Sequence, residues 1–327
     1  MGVRLRRLAI ALLAGLAAIA IASLLLPAEA PLPVVQRPAV GLGPVASLPE
    51  LRQRLTEISS ARFQSSDRAQ TRRYLTAVLQ DYGWRVTQQP VAGGQAGVNL
   101  IATQPGQAVA QSLVVGAHYD TVAGSPGADD NGTGVVALLE VARRLGHSTA
   151  PVPLTLVFFD LEEAGLLGSR AFVVAHPDVS GAVILEMLGF RCTEPGCQRY
   201  PAGVPARLAP DTGTFLAAVG DRPHRSLVDR FGGETPLPVV TLSVPVRGAL
   251  APDLLRSDHV PFWEAGIGAV MLTDTANFRN PHYHQPSDQV DTLDLPFFSA
   301  AVQLIVDRVE QLRWTQGEQE RGEVRSR

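Results

Sequence analysis

Leu154-Thr-Leu-Val-Phe-Phe159-Asp160-Leu-Glu162-Glu163-Ala-Gly165-Leu-Leu-Gly-Ser169 is the stretch on which the fold turns. The unbroken apolar and β-branched run from Leu154, which ends at Asp160, reads as a strand buried on both faces. Such a strand belongs in a sheet covered by helices on both sides. The chain leaves it through two adjacent carboxylates and a glycine, then resumes a helical pattern from Leu166 to Val174. As a solvated acidic turn, Glu162-Glu163 needs no explanation. As part of a site the two acids divide labour, one binding a metal ion and the other staying free to take a proton from the attacking water. Burying this many acids without cations would be costly.

Working outward, comparable runs occur at Asn99 to Thr103, Leu113 to His118, Ala182 to Glu186, Val239 to Ser243 and Ala269 to Thr273. Helical patterns fall at Asp67 to Tyr82, Gly132 to Leu145, Asp211 to Val219, His259 to Ala265 and Leu293 to Leu312. Their alternation is the signature of an α/β fold. In such sheets ligands gather beyond the carboxyl ends of the strands, which is where His118, Asp160 to Glu163 and Glu186 fall.

Each candidate has a plain alternative. His118 closes a strand, and Asp120 two residues on can accept its other imidazole N–H and fix the tautomer that binds metal; a lone His there is more often structural. In Ala128-Asp129-Asp130-Asn131-Gly132-Thr133-Gly134 the two acids either cap the following helix or ligate a cation. Glu186 ends a buried strand and needs a partner, a metal or one of the many Arg residues. In Asn280-Pro-His282-Tyr-His284-Gln-Pro-Ser-Asp288, spacing alone does not choose between His282 and His284. Asp258 and His259 in Ser257-Asp-His-Val-Pro-Phe-Trp263 either support a site or cap the helix that follows. Tyr283 and Asn277 lie near enough to line a pocket.

The chain of 327 residues, 46% apolar and 18% charged, suffices for one substantial core and leaves little room for two catalytic domains. Every basic residue is Arg, the net charge is −3, and no basic tract occurs beyond the N-terminus, so nucleic acid is not the expected partner. At the N-terminus Arg4, Arg6 and Arg7 precede an apolar run from Leu8 to Leu26 that, at about 1.5 Å per residue, approaches the thickness of a bilayer core. Ala28-Glu29-Ala30 offers a signal-cleavage site, but Pro31 after it hinders cleavage, so a retained signal anchor is favoured over a secreted product. Either way the rest of the chain is exported. The organisation expected is an anchor or signal over 1–26, a Pro-rich spacer over 27–48, one catalytic domain over 49–314 and a polar tail over 315–327. Export makes a disulfide the expected state of Cys192 and Cys197, the only cysteines, with Pro195-Gly196 turning the chain between them.

Taken together and in order, HYD, ADDNGTG, DLEEAGLLGS, LEMLGF, SDHVPFW and NPHYHQPSD resemble the co-catalytic di-zinc aminopeptidases, metallopeptidase clan MH, family twenty-eight, whose relatives include glutamate carboxypeptidases and glutaminyl cyclases. The resemblance runs from about Asn99 to Asp291. It implies a three-layer αβα sandwich with a mixed, mostly parallel central sheet as a single catalytic domain. It implies two zinc ions, with cobalt or manganese as substitutes, bridged by Asp130; His118 and Glu186 complete one site, Glu163 and His284 the other. Glu162 is then general base and acid, and Asp120 orients His118. Many members of the family carry Asp where this chain has Glu186. The activity implied is release of N-terminal residues from peptides. A carboxypeptidase or a glutaminyl cyclase-like acyltransferase is the alternative, and a non-catalytic binding ectodomain would be expected to have lost one of these residues.

Overall fold

The computed structural model describes residues 44–325 apart from 93–95, 148–149, 151, 203 and 205–209, with side chains described as far as Arg313. The expected membrane segment and most of the Pro-rich spacer lie outside the described residues. Among those described, no helix is long and apolar enough to cross a membrane.

In chain order the elements are α1 (Leu48–Ile58), α2 (Ser65–Asp81), β1 (Arg85–Val91), β2 (Gly97–Thr103), β3 (Leu113–His118), a π-helical turn (Ala128–Thr133), α3 (Gly134–Leu145), β4 (Leu154–Phe159), α4 (Leu167–Ala175), β5 (Gly181–Glu186), β6 (Leu216–Asp221), α5 (Arg225–Asp229), β7 (Val239–Val244), α6 (Val260–Glu264), β8 (Ala269–Thr273) and α7 (Leu295–Arg325). The strands form one mixed sheet in the order β1-β2-β4-β3-β5-β8-β6-β7. Its centre, β4-β3-β5-β8, is parallel, while β1, β2 and the β8/β6 pair run antiparallel.

Alternation along the central strands sorts side chains into two cores. Leu154, Leu156 and Phe158 face a cluster built with α1, α2, α3 and α7, whereas Val157 and Phe159 face one built with α4 and α6. Phe159 packs edge-on against Phe172 and Phe262, with ring centres 5.9 and 6.5 Å away. Full burial of such a ring stabilises the fold by about 2–3 kcal/mol. This is the α/β three-layer arrangement expected, with a single sheet at its centre. The parallel strands end together, His118 opposite Phe159 and Glu186 opposite Thr273, so that edge of the sheet gathers every candidate residue they carry.

Several elements depart from the sequence pattern, among them two strands and the last helix. Asp211 to Val219 reads as a helix but contains β6, hydrogen-bonded antiparallel to β8 and parallel to β7. Its short apolar run, Phe215 to Val219, is buried on both faces and so carries no period, and sheet pairing on both sides overrides the helical preference of its alanines. The edge strand β1 went unread because it is largely exposed and polar and contains Pro90, tolerated at an edge. The long helix α7 continues to Arg325, beyond the Leu312 at which its apolar pattern stops.

Candidate metal centre

His118 ends β3 and is buried. Its Nδ1 lies 3.2 Å from the Asp120 carbonyl oxygen, which can only accept, so Nδ1 carries the proton and the Nε2 lone pair points away. Nε2 is 3.3 Å from Asp130 Oδ1 and 3.4 Å from Glu186 Oε1. His284 Nε2 is 3.1 Å from Asp130 Oδ2 and 3.1 Å from Glu163 Oε2. Asp130 thus turns one oxygen toward each histidine, and each histidine also meets a glutamate. Glu162, His118 and Glu186 offer ligand atoms within 4.8 Å of one another, as do Asp130, Glu163 and His284.

The turn that presents Asp130 is held from three sides. Both Asp288 oxygens accept backbone N–H groups, those of Asp129 (2.9 Å) and Asp130 (3.0 Å). Asn131 ties it to the end of β5, donating to Leu185 O and accepting from Met187 N. Gly127, at φ +61°, lies so close that a Cβ would meet Asp130 O at 2.4 Å, so no other residue fits there. Buried Arg62 donates from Nε to Tyr119 O at 2.6 Å and from its terminal nitrogens to Pro126 O and Gly127 O, each at 2.9 Å. On the opposite side the Asp120 carboxylate accepts the backbone N–H of Glu162 (3.1 Å) and of Glu163 (3.2 Å). One residue therefore sets both, the acidic turn through its carboxylate and the ring of His118 through its carbonyl.

The alternatives that spacing left open lie in different places in the structure. Asp129 turns inward, accepting from Gly189 N, Thr133 Oγ1 and Asn280 Nδ2. His282 pairs with Ser287 Oγ at 2.9 Å, away from the cluster. Asp160 is buried against Arg68 at 2.8 Å and the Tyr119 hydroxyl at 2.7 Å. Asp258 and His259 make no capping hydrogen bond to α6. Asp258 is buried beside Glu186 and His118, and the Ser169 hydroxyl that faces it does not reach hydrogen-bond geometry. Residues that sequence reasoning missed include Ser257, whose Oγ donates to Glu186 Oε2 at 2.6 Å, Asp288 and Arg62. The first two lie inside the quoted motifs; Arg62 carries no sequence signal.

Burial drives the Glu162 carboxyl well above its ordinary range, and the surrounding acids Glu186, Asp258 and Glu163 add to the shift against the nearby His118. Burial also pushes Glu163 up. Burial raises Asp130 too, but the two imidazoles outweigh it and hold Asp130 below its usual value. Burial opposes charge on His284, yet Asp130 and Glu163 lift it to about 9. Among the described residues, Asp130 Oδ2 and Glu163 Oε1 are buried without an aligned hydrogen bond. Convergent carboxylates, two imidazoles and orphaned oxygens are the donor set of a cation site, and oxygen with imidazole nitrogen suits zinc, cobalt or manganese. Ser257 and Asp120 supply the surrounding contacts that fix such ligands.

Cys192 and Cys197 are joined by a disulfide, in the segment that follows Glu186.

Comparison with known proteins agrees with this geometry. The uncharacterized protein YfbL of Escherichia coli is 34% identical over 241 residues, 68% of this chain and 73% of that one. Aminopeptidase YwaD of Bacillus subtilis is 29% identical over 211 residues, and the match spans 60% of this chain but 40% of that longer protein. The crystal structure of the LapA aminopeptidase of Legionella pneumophila superposes with a TM-score of 0.67 at 21% identity, covering 89% of this chain and 78% of LapA, a likeness of fold. The family model described as Peptidase family M28 matches residues 99–309. That segment is more than half of the chain and carries every residue of the cluster, and this chain belongs to peptidase family M28, a metallopeptidase family.

Proposed function

We propose that the protein is an aminopeptidase that holds two divalent cations, zinc with cobalt or manganese as substitutes, and releases N-terminal residues from peptides. The observation that carries the reading is Asp130, which presents Oδ1 to His118 at 3.3 Å and Oδ2 to His284 at 3.1 Å, each histidine paired with its own glutamate. In that arrangement His118 and Glu186 would hold one ion, Glu163 and His284 the other, and Asp130 would serve both. The ions, when bound, supply Lewis acidity toward water and the scissile carbonyl. Glu162 is left for proton transfer. Its buried carboxyl, pushed up in pKa, takes a proton from the attacking water at a carboxylate oxygen and returns it to the leaving amine. Asp120 keeps this acid in place through its backbone N–H, and Ser257 holds the Glu186 carboxylate in a single orientation. The free α-amino group of the substrate is drawn to this acidic centre. The aminopeptidase name borne by the B. subtilis relative supports the same reading.

A compartment outside the cytoplasm follows from the apolar segment Leu8 to Leu26 behind three arginines, and the Cys192–Cys197 disulfide suits an oxidising surrounding. The deciding experiment is hydrolysis of aminoacyl p-nitroanilides with free and with acetylated α-amino groups, alongside metal analysis of wild type and Glu162→Gln. Only the free amines should be cleaved. The variant should keep two metal ions per chain while kcat falls about 10²–10⁴-fold. Equal cleavage of acetylated substrates, or an unimpaired variant, would reject the assignment.

A further inference from the structure

Beside the cluster, a cavity of about 310 Å³ opens over the face of β8, β6 and β7. Phe215, Ala217 and Val219 stand two residues apart and so share one face of the sheet, continued by Val240 and Leu242 on β7 and by Met271 on β8. The opposite face of these strands belongs to the core under α5 and α7. Over the cavity, loops take the place of helices: Gln198 to Pro201 and Asp253 to Leu254 contribute to its walls, and Arg256 and Tyr283 complete the lining. Glu186 belongs both to this lining and to the cluster, 3.4 Å from His118 Nε2. A residue held by its α-amino group at the cluster therefore has its side chain directed at an apolar sheet face.

We infer that this cavity receives the side chain of the substrate's N-terminal residue, that it selects large aromatic side chains, and that Ala217 sets its depth. The inference rests on the aminopeptidase reading above. At roughly 30 Å³ for a water-sized group, the cavity holds on the order of ten non-hydrogen atoms, as many as the side chain of tryptophan. Leucine fills less than half of that and alanine a tenth, so small residues leave apolar surface uncovered or wet. A lysine or glutamate side chain would lose water over the apolar floor, because the charged lining residues Glu186, Arg199, Asp253 and Arg256 stand in the walls and not on that floor, so it gains less there than an aromatic ring. Ala217 lies at the centre of the floor, opposite Thr273 in the β6/β8 register and beside Val240 on β7. A larger residue there would occupy the space itself.

The test has a catalytic and a binding arm. Among alanyl, leucyl, phenylalanyl, tryptophanyl and lysyl p-nitroanilides, kcat/KM for the two aromatic substrates should exceed the alanyl value by about a hundredfold, with lysyl at the bottom. In calorimetric titration of metal-loaded Glu162→Gln, L-phenylalaninamide should bind at least tenfold more tightly than L-alaninamide. Ala217→Leu should lower the phenylalanyl to alanyl ratio at least tenfold in both arms. Val240→Phe, on the half-exposed edge strand, should do the same if Ala217→Leu fails to fold. Hydrolysis with an alanyl or lysyl preference, or ratios that neither variant moves, would overturn the inference and leave the aminopeptidase reading standing. No hydrolysis of any free-amine substrate by the metal-loaded wild type would remove that reading and this inference with it.

Discussion

His259 lies next to the centre in sequence yet has no part in it, and its chemistry leads to a pH effect on stability. It is fully buried, with Nε2 2.9 Å from the Leu254 carbonyl and its ring edge-on to Trp263 at 4.3 Å. The carbonyl can only accept, so Nε2 carries the hydrogen, while Nδ1 is buried without a partner among the described residues. Burial holds the pKa down to about 4 against the ordinary 6.5, with the Leu254 carbonyl pulling the other way. Above pH 6.5 both folded and unfolded chains carry a neutral ring, and His259 adds no pH dependence. Between 6.5 and 4 the unfolded chain takes up a proton that the folded one refuses, so stability is lost as pH falls through that window and levels off below it. At 1.36 kcal/mol per pH unit, the loss approaches about 3 kcal/mol. Glutamine keeps a donor at the Nε2 position and has nothing to titrate. Urea unfolding of His259→Gln and wild type should therefore show the difference between them moving by about 2 kcal/mol in the variant's favour from pH 7 to pH 4.5. Parallel pH profiles would mean that His259 takes up its proton as readily in the folded protein as in the unfolded chain.

Between elements, the decisive tie is Arg62. It follows α1 and collects five carbonyls from three segments: Ile58 and Ser60 at the helix end, Tyr119 after β3, and Pro126 and Gly127 before the turn that presents Asp130. Burial lowers its pKa to about 10, still high enough for it to stay charged at neutral pH. Arg62→Met fills similar space and strands these carbonyls. At about 1–3 kcal/mol for each buried group left unpaired, with partial relaxation, the variant should lose about 4 kcal/mol in urea unfolding. A loss below 1 kcal/mol would mean that water replaces the guanidinium. Nothing in Ser60-Ala-Arg62-Phe announces this role, because the partners are backbone atoms brought together only by the fold. Legibility follows the same division. Strands β3, β4, β5 and β8 were readable because each is a continuous apolar run ending in a distinct break, and the acids and histidines at those breaks were readable with them. The choices of Asp130 over Asp129 and of His284 over His282 came from family resemblance, since each pair differs only in which way the backbone turns. The strand β6 was misread because its side chains are buried on both faces, leaving no period to detect. Ser257 and Asp288 were visible as letters, but their contacts to Glu186 and to the Asp129 and Asp130 N–H groups exist only in three dimensions.

At the scale of the molecule, the cluster is drawn from β3, the π-helical turn, the ends of β4 and β5, and the loop after β8. Those segments are joined by the sheet on one side and by the charges themselves on the other. Without cations the carboxylates repel one another, and burial leaves them no water with which to screen the repulsion. Bound cations would make the cluster a cross-link among five segments and, because the unfolded chain does not assemble it, would stabilise the folded state by mass action. At a free concentration about a thousand times the dissociation constant, each site contributes about 4 kcal/mol. In a domain of this size each kcal/mol moves the midpoint of thermal unfolding by about 2–4 °C. Chelation followed by removal of the chelator should therefore lower Tm by roughly 10 °C or more, and stoichiometric zinc should restore it. Asp130→Asn, which weakens the one residue shared by both histidines, should unfold near the chelated value whether or not zinc is present. A Tm that ignores chelation in the wild type, or that zinc raises equally in Asp130→Asn, would show that the segments are held by the sheet alone and that the cluster does not bridge them through metal.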